Sequence, residues 1–195
     1  MMKKWSKVYL LLTLSYFSAF LCSCREREIL TEDELKAYVM DGDNGLLKKI
    51  EYEEFILDCF YWPKELILLN EYRNSSDVSD SSLNMTKKRL DSIDYFIVKY
   101  SPKRNTDRFI NSLNIRNDAQ LVIDNDTIQI EDFISIPRQN SGSQAYSILY
   151  AFKSFLNKRN KEKNVYLIIN NGNEGEEVEF SNNNILEVQN FSIIK

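Results

Sequence analysis

From Gln120 to the C-terminus the chain repeats one pattern, in which short runs of β-branched and aromatic residues are each closed off by Asn, Asp, Gly or Ser. Such runs read as strands, and their punctuation as hairpin links. The pattern predicts strands at 121–123, 127–130, 133–136, 145–155, 165–170, 176–180 and 185–194. Their connections fall at Asn125-Asp126, Ser141-Gly142-Ser143, 157–164, 171–175 and 182–184. Tyr146, Ile148, Tyr150 and Phe152 recur at period two, which marks the core face of one strand. Elsewhere the alternation is uneven, so some central strands are expected to be covered on both sides.

The segment before Gln120 mixes helices with strands. Thr31 is placed to cap a helix at 31–39, with Glu34 as its capping-box partner and Leu30 and Leu35 as a hydrophobic staple. Asp41-Gly42-Asp43-Asn44-Gly45 ends that helix. Its resemblance to a calcium loop fails, because the EF-hand pattern needs Gly at the sixth position and Leu46 stands there. Residues 46–52 and 55–62 form a hairpin around Glu53-Glu54. Pro63, whose missing N–H costs nothing in a first helical turn, opens a helix at 64–71. A Ser/Asp-rich loop at 74–82, a helix at 83–90, a strand at 95–100 and a short helix at 106–113 complete the reading. No repeat and no alternating βαβ order is present. The expected fold is a single α+β domain on a curved, mainly antiparallel sheet with two to four short helices.

Composition narrows the chemistry. The 195 residues contain no histidine, which removes Ser-His-Asp triads, Cys-His pairs and HExxH zinc sites. Neither GxGxxG nor GxxxxGK[ST] occurs. The residues imply no cofactor and no metal. Carboxylate pairs remain, and Glu174, Glu176, Glu177 and Glu179 cluster near one hairpin, where a glycosidase would need two carboxyls roughly 5–10 Å apart. A solvated acidic hairpin produces the same cluster. Exposed rings could stack on a sugar, the candidates being Tyr52, Tyr61, Tyr72 and above all Trp62, which ends a strand just before Pro63. The basic stretch Lys158-Arg159-Asn160-Lys161-Glu162-Lys163 reads as a solvated hairpin tip.

The first 23 residues read as a signal peptide. Lys3, Lys4 and Lys7 precede an apolar run from Val8 to Cys22, too short to span a bilayer. The run ends in Leu21-Cys22-Ser23-Cys24, which resembles the lipobox of bacterial lipoproteins. That resemblance implies recognition by signal peptidase II through Leu21 and Ser23, and a diacylglyceryl group on the Cys24 thiol. Cys22 is the poorer acceptor, since bulky Leu21 would precede it. Without residues 1–23 the chain keeps 22 bases against 29 acids, a balance that gives no reason to bind nucleic acid or anionic head groups. Membrane attachment would come from the lipid alone. Cys59 is then the one free thiol, and its apolar neighbours predict a buried side chain.

The abundance of Asn, Ile and Lys, with Arg25-Glu26-Arg27-Glu28 after Cys24, resembles lipoproteins of Bacteroidota type, a resemblance spanning residues 1–28. Asn44-Gly45-Leu46, the following hairpin and Pro63-Lys64-Glu65-Leu66 also look like a recurrent pattern among small lipoproteins of that group, for which it implies no activity. Asp91-Ser92-Ile93 and Asp126-Thr127-Ile128 resemble the D-[S/T]-apolar acceptor of O-glycosylation on exported proteins of the same type, which makes Ser92 and Thr127 candidate glycan sites. The expected layout is a signal peptide at 1–23, a short tether at 24–30 and one domain at 31–195. That tether reaches about 20 Å at most and holds the domain near the membrane, in the outer membrane by the resemblance. The expected function is non-enzymatic: a lipid-anchored envelope component that contacts another envelope protein. The alternatives are glycan binding through an aromatic platform and, less favoured, carboxylate-dependent hydrolysis.

Overall fold

A computed structural model describes residues 29–74, 80–103, 119–124, 126–137, 145–154, 164–170 and 175–193. Strand β1 (Ile29–Leu30) leads into helix α1 (Glu32–Met40). The capping box is present: the Glu34 amide donates to Thr31 Oγ1 at 3.3 Å, and the Thr31 amide to Glu34 Oε2 at 2.8 Å. Glu32, Asp33 and Glu34 in the first turn also face the positive end of the helix dipole. A 3-10 turn (Gly42–Asn44) follows and closes on Gly45 at φ 68°, a left-handed conformation suited to glycine. A Cβ there would collide with the Asn184 side chain, so this turn packs closely on the C-terminal segment.

Strands β2 (Leu47–Glu51) and β3 (Phe55–Trp62) form the expected hairpin, closed by the Tyr52 amide donating to the Phe55 carbonyl at 2.9 Å. Helices α2 (Lys64–Asn74) and α3 (Asp80–Asp91) come next. Arg89 pairs with Glu71 at 2.6 Å, and Lys64 with Asp91, which staples the two helices together. Strands β4 (Ile93–Pro102), β5 (Ala119–Ile123), β6 (Asp126–Ile128), β7 (Ile130–Pro137), β8 (Tyr146–Lys153), β9 (Asn164–Asn170) and β10 (Gly175–Ser181) then build the sheets. Helix α4 (Asn182–Val188) and strand β11 (Ser192–Ile193) end the described chain.

The fold is α+β with mainly antiparallel sheet and four helices among the described residues. The expectation of one sheet is corrected: there are two antiparallel sheets, ordered β2-β3-β4-β8-β7 and β10-β9-β5-β6, plus the small parallel pair β1-β11. Strands β6 and β7 are separated by Gln129 alone yet belong to different sheets, so the chain turns a corner there. The inner faces share one core. Leu57, Cys59, Phe96, Val98, Tyr150 and Phe152 from the larger sheet join Leu121, Leu167, Val178 and Phe180 from the smaller. Phe96 is central, edge-on to Phe152 and Phe180, with ring centroids 5.9 and 5.3 Å apart. In β4 the residues from Asp94 to Val98 are all buried, the two-sided covering that uneven alternation foretold.

Three further corrections concern boundaries. The strand expected at 185–194 is α4 followed by β11, and Asn182–Asn184 is the first turn of that helix rather than a hairpin link. Asn182, Ile185 and Val188 are its buried residues, an i, i+3, i+6 stripe that belongs to a helix. The loop expected at 74–82 is overdrawn at both ends, since Asn74 still lies in α2 and Asp80 opens α3, and residues 75–79 lie outside what is described. Ile29–Leu30 was assigned to the tether but pairs in parallel with Ser192–Ile193, so the fold begins before Thr31. The helix expected at 106–113 and the side chain of Leu30 lie outside what is described.

Candidate functional site

Leu21, Ser23 and Cys24 lie outside the described residues, which begin five positions after Cys24. What the structure does place is Trp62. Alternation along β3 sends Leu57, Cys59 and Tyr61 inward, and Asp58, Phe60 and Trp62 to the outer face of the five-stranded sheet. The register then sets the outer face in rows that cross the strands. Trp62, Tyr95, Ala151 and Asp132 form the first. Leu47, Phe60, Ile97, Leu149 and Ile134 form the second, an apolar row across all five strands. Lys49, Asp58, Lys99 and Ser147 form the third, polar over these four strands and continued on β7 at Ile136.

Helices α2 and α3 cover the first row. Leu90 is buried against Tyr95 and Ala151, with Ile67, Leu68 and Trp62 packed around them. Helix α1 lies beside the second row, where a cleft of about 290 Å³ is lined by Lys36, Met40, Phe60, Trp62, Ile97, Lys99 and Ser147. Its floor is apolar, and the Phe60 and Trp62 rings lie 5.8 Å apart at 57°. Its two cations already have partners: Lys36 pairs with Glu32 at 2.5 Å and Lys99 with Asp58 at 3.1 Å. The rim therefore offers charge pairs rather than a net positive charge. Met40, 49% exposed at the cleft, and Ile134, 55% exposed on the edge strand β7, leave large apolar side chains in solvent.

The other ring candidates divide. Tyr61, expected among the exposed rings, is instead buried. Its hydroxyl donates to Asp94 Oδ1 at 3.0 Å, and Gln189 Nε2 donates to the same oxygen at 3.2 Å, which ties the C-terminal segment to β3 and β4. Tyr52 is half-buried, stacked on Phe55 at 4.4 Å, and its hydroxyl donates to Glu176 Oε2 at 2.8 Å across to the smaller sheet. The side chain of Tyr72 lies outside the described residues. Thus Trp62 and Phe60 meet in the cleft, and no third ring joins them among the residues that line it.

The acidic hairpin also divides. Glu177 and Glu179 share the solvent face of β10, and Glu179 accepts from the Asn164 side chain. Glu176 lies on the opposite face with Val178 and Phe180, and Glu174 is outside the described residues. A second hollow, about 370 Å³, sits where β6 passes into β7 and is bounded by Gln120, Gln129, Glu131 and Asp132. Among the described residues no three His, Cys, Asp or Glu side chains come together as a metal-holding group. Ser92 and Thr127 are both exposed, Ser92 just after α3 with its hydroxyl donating to the Arg89 carbonyl at 2.7 Å, and Thr127 on the three-residue strand β6.

Cys59 is buried, and burial above all, with the Asp58 and Glu176 carboxylates adding to it, pushes its thiol well above the ordinary value. Asp58 points the other way and meets Lys99, as adjacent strand residues must.

Sequence reasoning had no access to the rest of the cleft. Lys36 and Met40 share one face of α1 at i, i+4, while Ile97, Lys99 and Ser147 arrive by strand pairing. No family model matches this chain, and no curated protein or solved structure matches it either.

Proposed function

We propose that this protein is a lipid-anchored component of a bacterial envelope, held through Cys24, that acts without chemistry of its own by gripping another envelope protein. The observation that carries the contact is the cleft floored by Phe60, Trp62 and Ile97, with Met40 of α1 49% exposed at its border and the apolar row continuing from Ile97 to Leu149 and Ile134. Phe60 and Ile97 are buried, but Leu47 and Leu149 are only half-covered and Ile134 is exposed, and apolar surface left uncovered on a sheet face, where polar side chains are the norm, favours a partner surface. Glycan binding is the second reading, favoured by Trp62 beside the Asp58–Lys99 pair. It ranks lower because sugar stacking needs open ring faces, and Phe60 is only 5% exposed. The anchoring rests on Leu21-Cys22-Ser23-Cys24, and the acidic balance supports no nucleic-acid partner. Exposure of Ser92 and Thr127 is what glycan acceptors require, and intact-mass measurement of native protein should show added glycan at one or both.

The test has two arms on the full-length chain. Metabolic labelling with a palmitate analogue should mark the wild type and Cys22→Ala, and leave Cys24→Ala unlabelled and uncleaved. Unchanged labelling of Cys24→Ala would end the anchoring reading. A membrane protein co-purified with the wild type should be lost from Met40→Lys and kept by Met85→Lys, whose methionine is 75% exposed on α3. Specific binding on a glycan array, with no protein partner sensitive to Met40→Lys, would favour the second reading.

A further inference from the structure

Helix α1 supplies one wall of the cleft through Lys36 and Met40. Leu35 and Val39 are its buried residues. At ~100° per residue around the helix, Tyr38 falls on one flank of that buried stripe, and Lys36 and Met40 fall on the other. A helix seated on so narrow a stripe can roll, and the neighbour of Tyr38 decides how far Lys36 and Met40 lean over the sheet. That neighbour is Phe191, whose ring meets Tyr38 edge-on with centroids 4.9 Å apart at 83°. The same C-terminal segment touches the α1 unit at two further points. Before the helix, β1 pairs with β11; after it, the turn at Gly45 packs against the Asn184 side chain. Gln189 pins the segment to the larger sheet, its Nε2 donating to Asp94 Oδ1 and to the Tyr61 hydroxyl. Tyr61 stands in sequence between Phe60 and Trp62, the two rings of the cleft. The segment has little structure of its own: α4 is seven residues long with no side-chain cap, and β11 is two. A helix that short is unstable in isolation, and such segments open locally at low cost.

We propose that Asn182–Ile193 is a strap that sets the cleft. Seated, it holds α1 with Lys36 and Met40 beside Phe60 and Ile97; loosened, it lets α1 roll, and the cleft is lost. Phe191 and Gln189 are then positioning residues for a surface that neither of them lines. This deepens the partner reading and rests on it, since it names what regulates the same cleft. The coupling is reciprocal: a partner in the cleft favours the seated strap by the same factor as the seated strap favours the partner.

The experiment is hydrogen–deuterium exchange on the isolated full-length chain, read by mass spectrometry. It is joined by acrylamide quenching of Trp62 in a Trp5→Phe background, where Trp62 is the sole tryptophan. Phe191→Ala removes the ring behind Tyr38, and Gln189→Met removes the pin while keeping a long side chain. In each variant the amides of α1 should exchange about tenfold faster, the signature of local opening. Those of β8, an interior strand of the larger sheet, should keep their rate. Trp62 should become more open to the quencher. Where Phe191→Ala fails to fold, Gln189→Met decides alone. An unchanged α1 rate would overturn the strap, and so would equal acceleration of α1 and β8, which is general loosening. Faster exchange in α1 with unchanged quenching of Trp62 would overturn its hold on the cleft. Neither readout uses a partner, so the strap can fail while the contact at Met40 stands, and the reverse.

Discussion

The inner and outer faces of the five-stranded sheet are written on the same strands, with side chains alternating between them, and they meet different fates. Inward, Leu57, Cys59, Phe96, Tyr150 and Phe152 are closed over completely by the second sheet. Outward, the row at Trp62 and Tyr95 is covered by α2 and α3, the row at Phe60 and Ile97 is left partly open, and the row at Asp58 and Lys99 is polar. The gradient teaches that this domain completes its core without using all its apolar surface. The inner face is closed throughout, whereas the outer face is closed at Tyr95, Phe60 and Ile97 and left exposed at Met40 and Ile134.

The comparison predicts unequal costs, and the largest falls inside. Phe96→Ala should destabilise by about 3–5 kcal/mol, the usual cost of deleting a buried ring, because three rings from both sheets, Tyr61, Phe152 and Phe180, pack on it. Urea denaturation of the variant would measure this. A loss below about 1 kcal/mol would mean that the two sheets do not share a core.

Cys59 comes next. The native protein should resist a thiol reagent until denatured, since a buried, protonated thiol is a poor nucleophile. Cys59→Ser should cost roughly 1–3 kcal/mol through burial of a hydroxyl. Rapid labelling of folded protein would show that the inner face opens.

The smallest effect is expected on the helix-covered part of the outer face. Glu65, at the start of α2, has its carboxyl raised, chiefly by burial and further by Asp91, while its own backbone N–H, Lys64 and Lys87 act against the rise. Its Oε2 is buried without a hydrogen-bond partner among the described residues. A raised acid is penalised only once the unfolded chain ionises. Stability should therefore be complete below the ordinary glutamate range and fall as pH climbs from there through the folded value. Glu65→Gln should flatten that fall, as measured by denaturation at several pH values. An unchanged slope would mean that Glu65 is solvated.

How much of this was legible from sequence follows from the range of each interaction. The capping box at Thr31 and Glu34 and the hairpin at Glu53-Glu54 are local, and they could be read directly. Helix α4 was misread because Asn182–Asn184 has turn composition and the apolar residues after it suit a strand. The contrary signal was the spacing of Ile185 and Val188. Two sheets were read as one because period-two alternation reports which face a residue occupies, not which sheet its strand joins. The single residue Gln129 between β6 and β7 gives no hint that the chain changes sheets. Trp62 could be picked out at a strand end before Pro63, but Tyr61 could not be excluded until Leu57 and Cys59 fixed the inner face. The cleft itself is assembled from α1, β3, β4 and β8, a juxtaposition that only the long-range pairing of β4 with β8 creates.

The central claim is that the open part of the outer face is a contact surface, and Met40 and Met85 offer a matched pair for testing it. Both are exposed helical methionines, but only Met40 borders the cleft. A photo-crosslinking residue placed at each position in turn, in the full-length protein and activated in intact cells, should form a discrete protein adduct from Met40 and none from Met85. Equal adducts from the two positions, or none from Met40, would contradict the account.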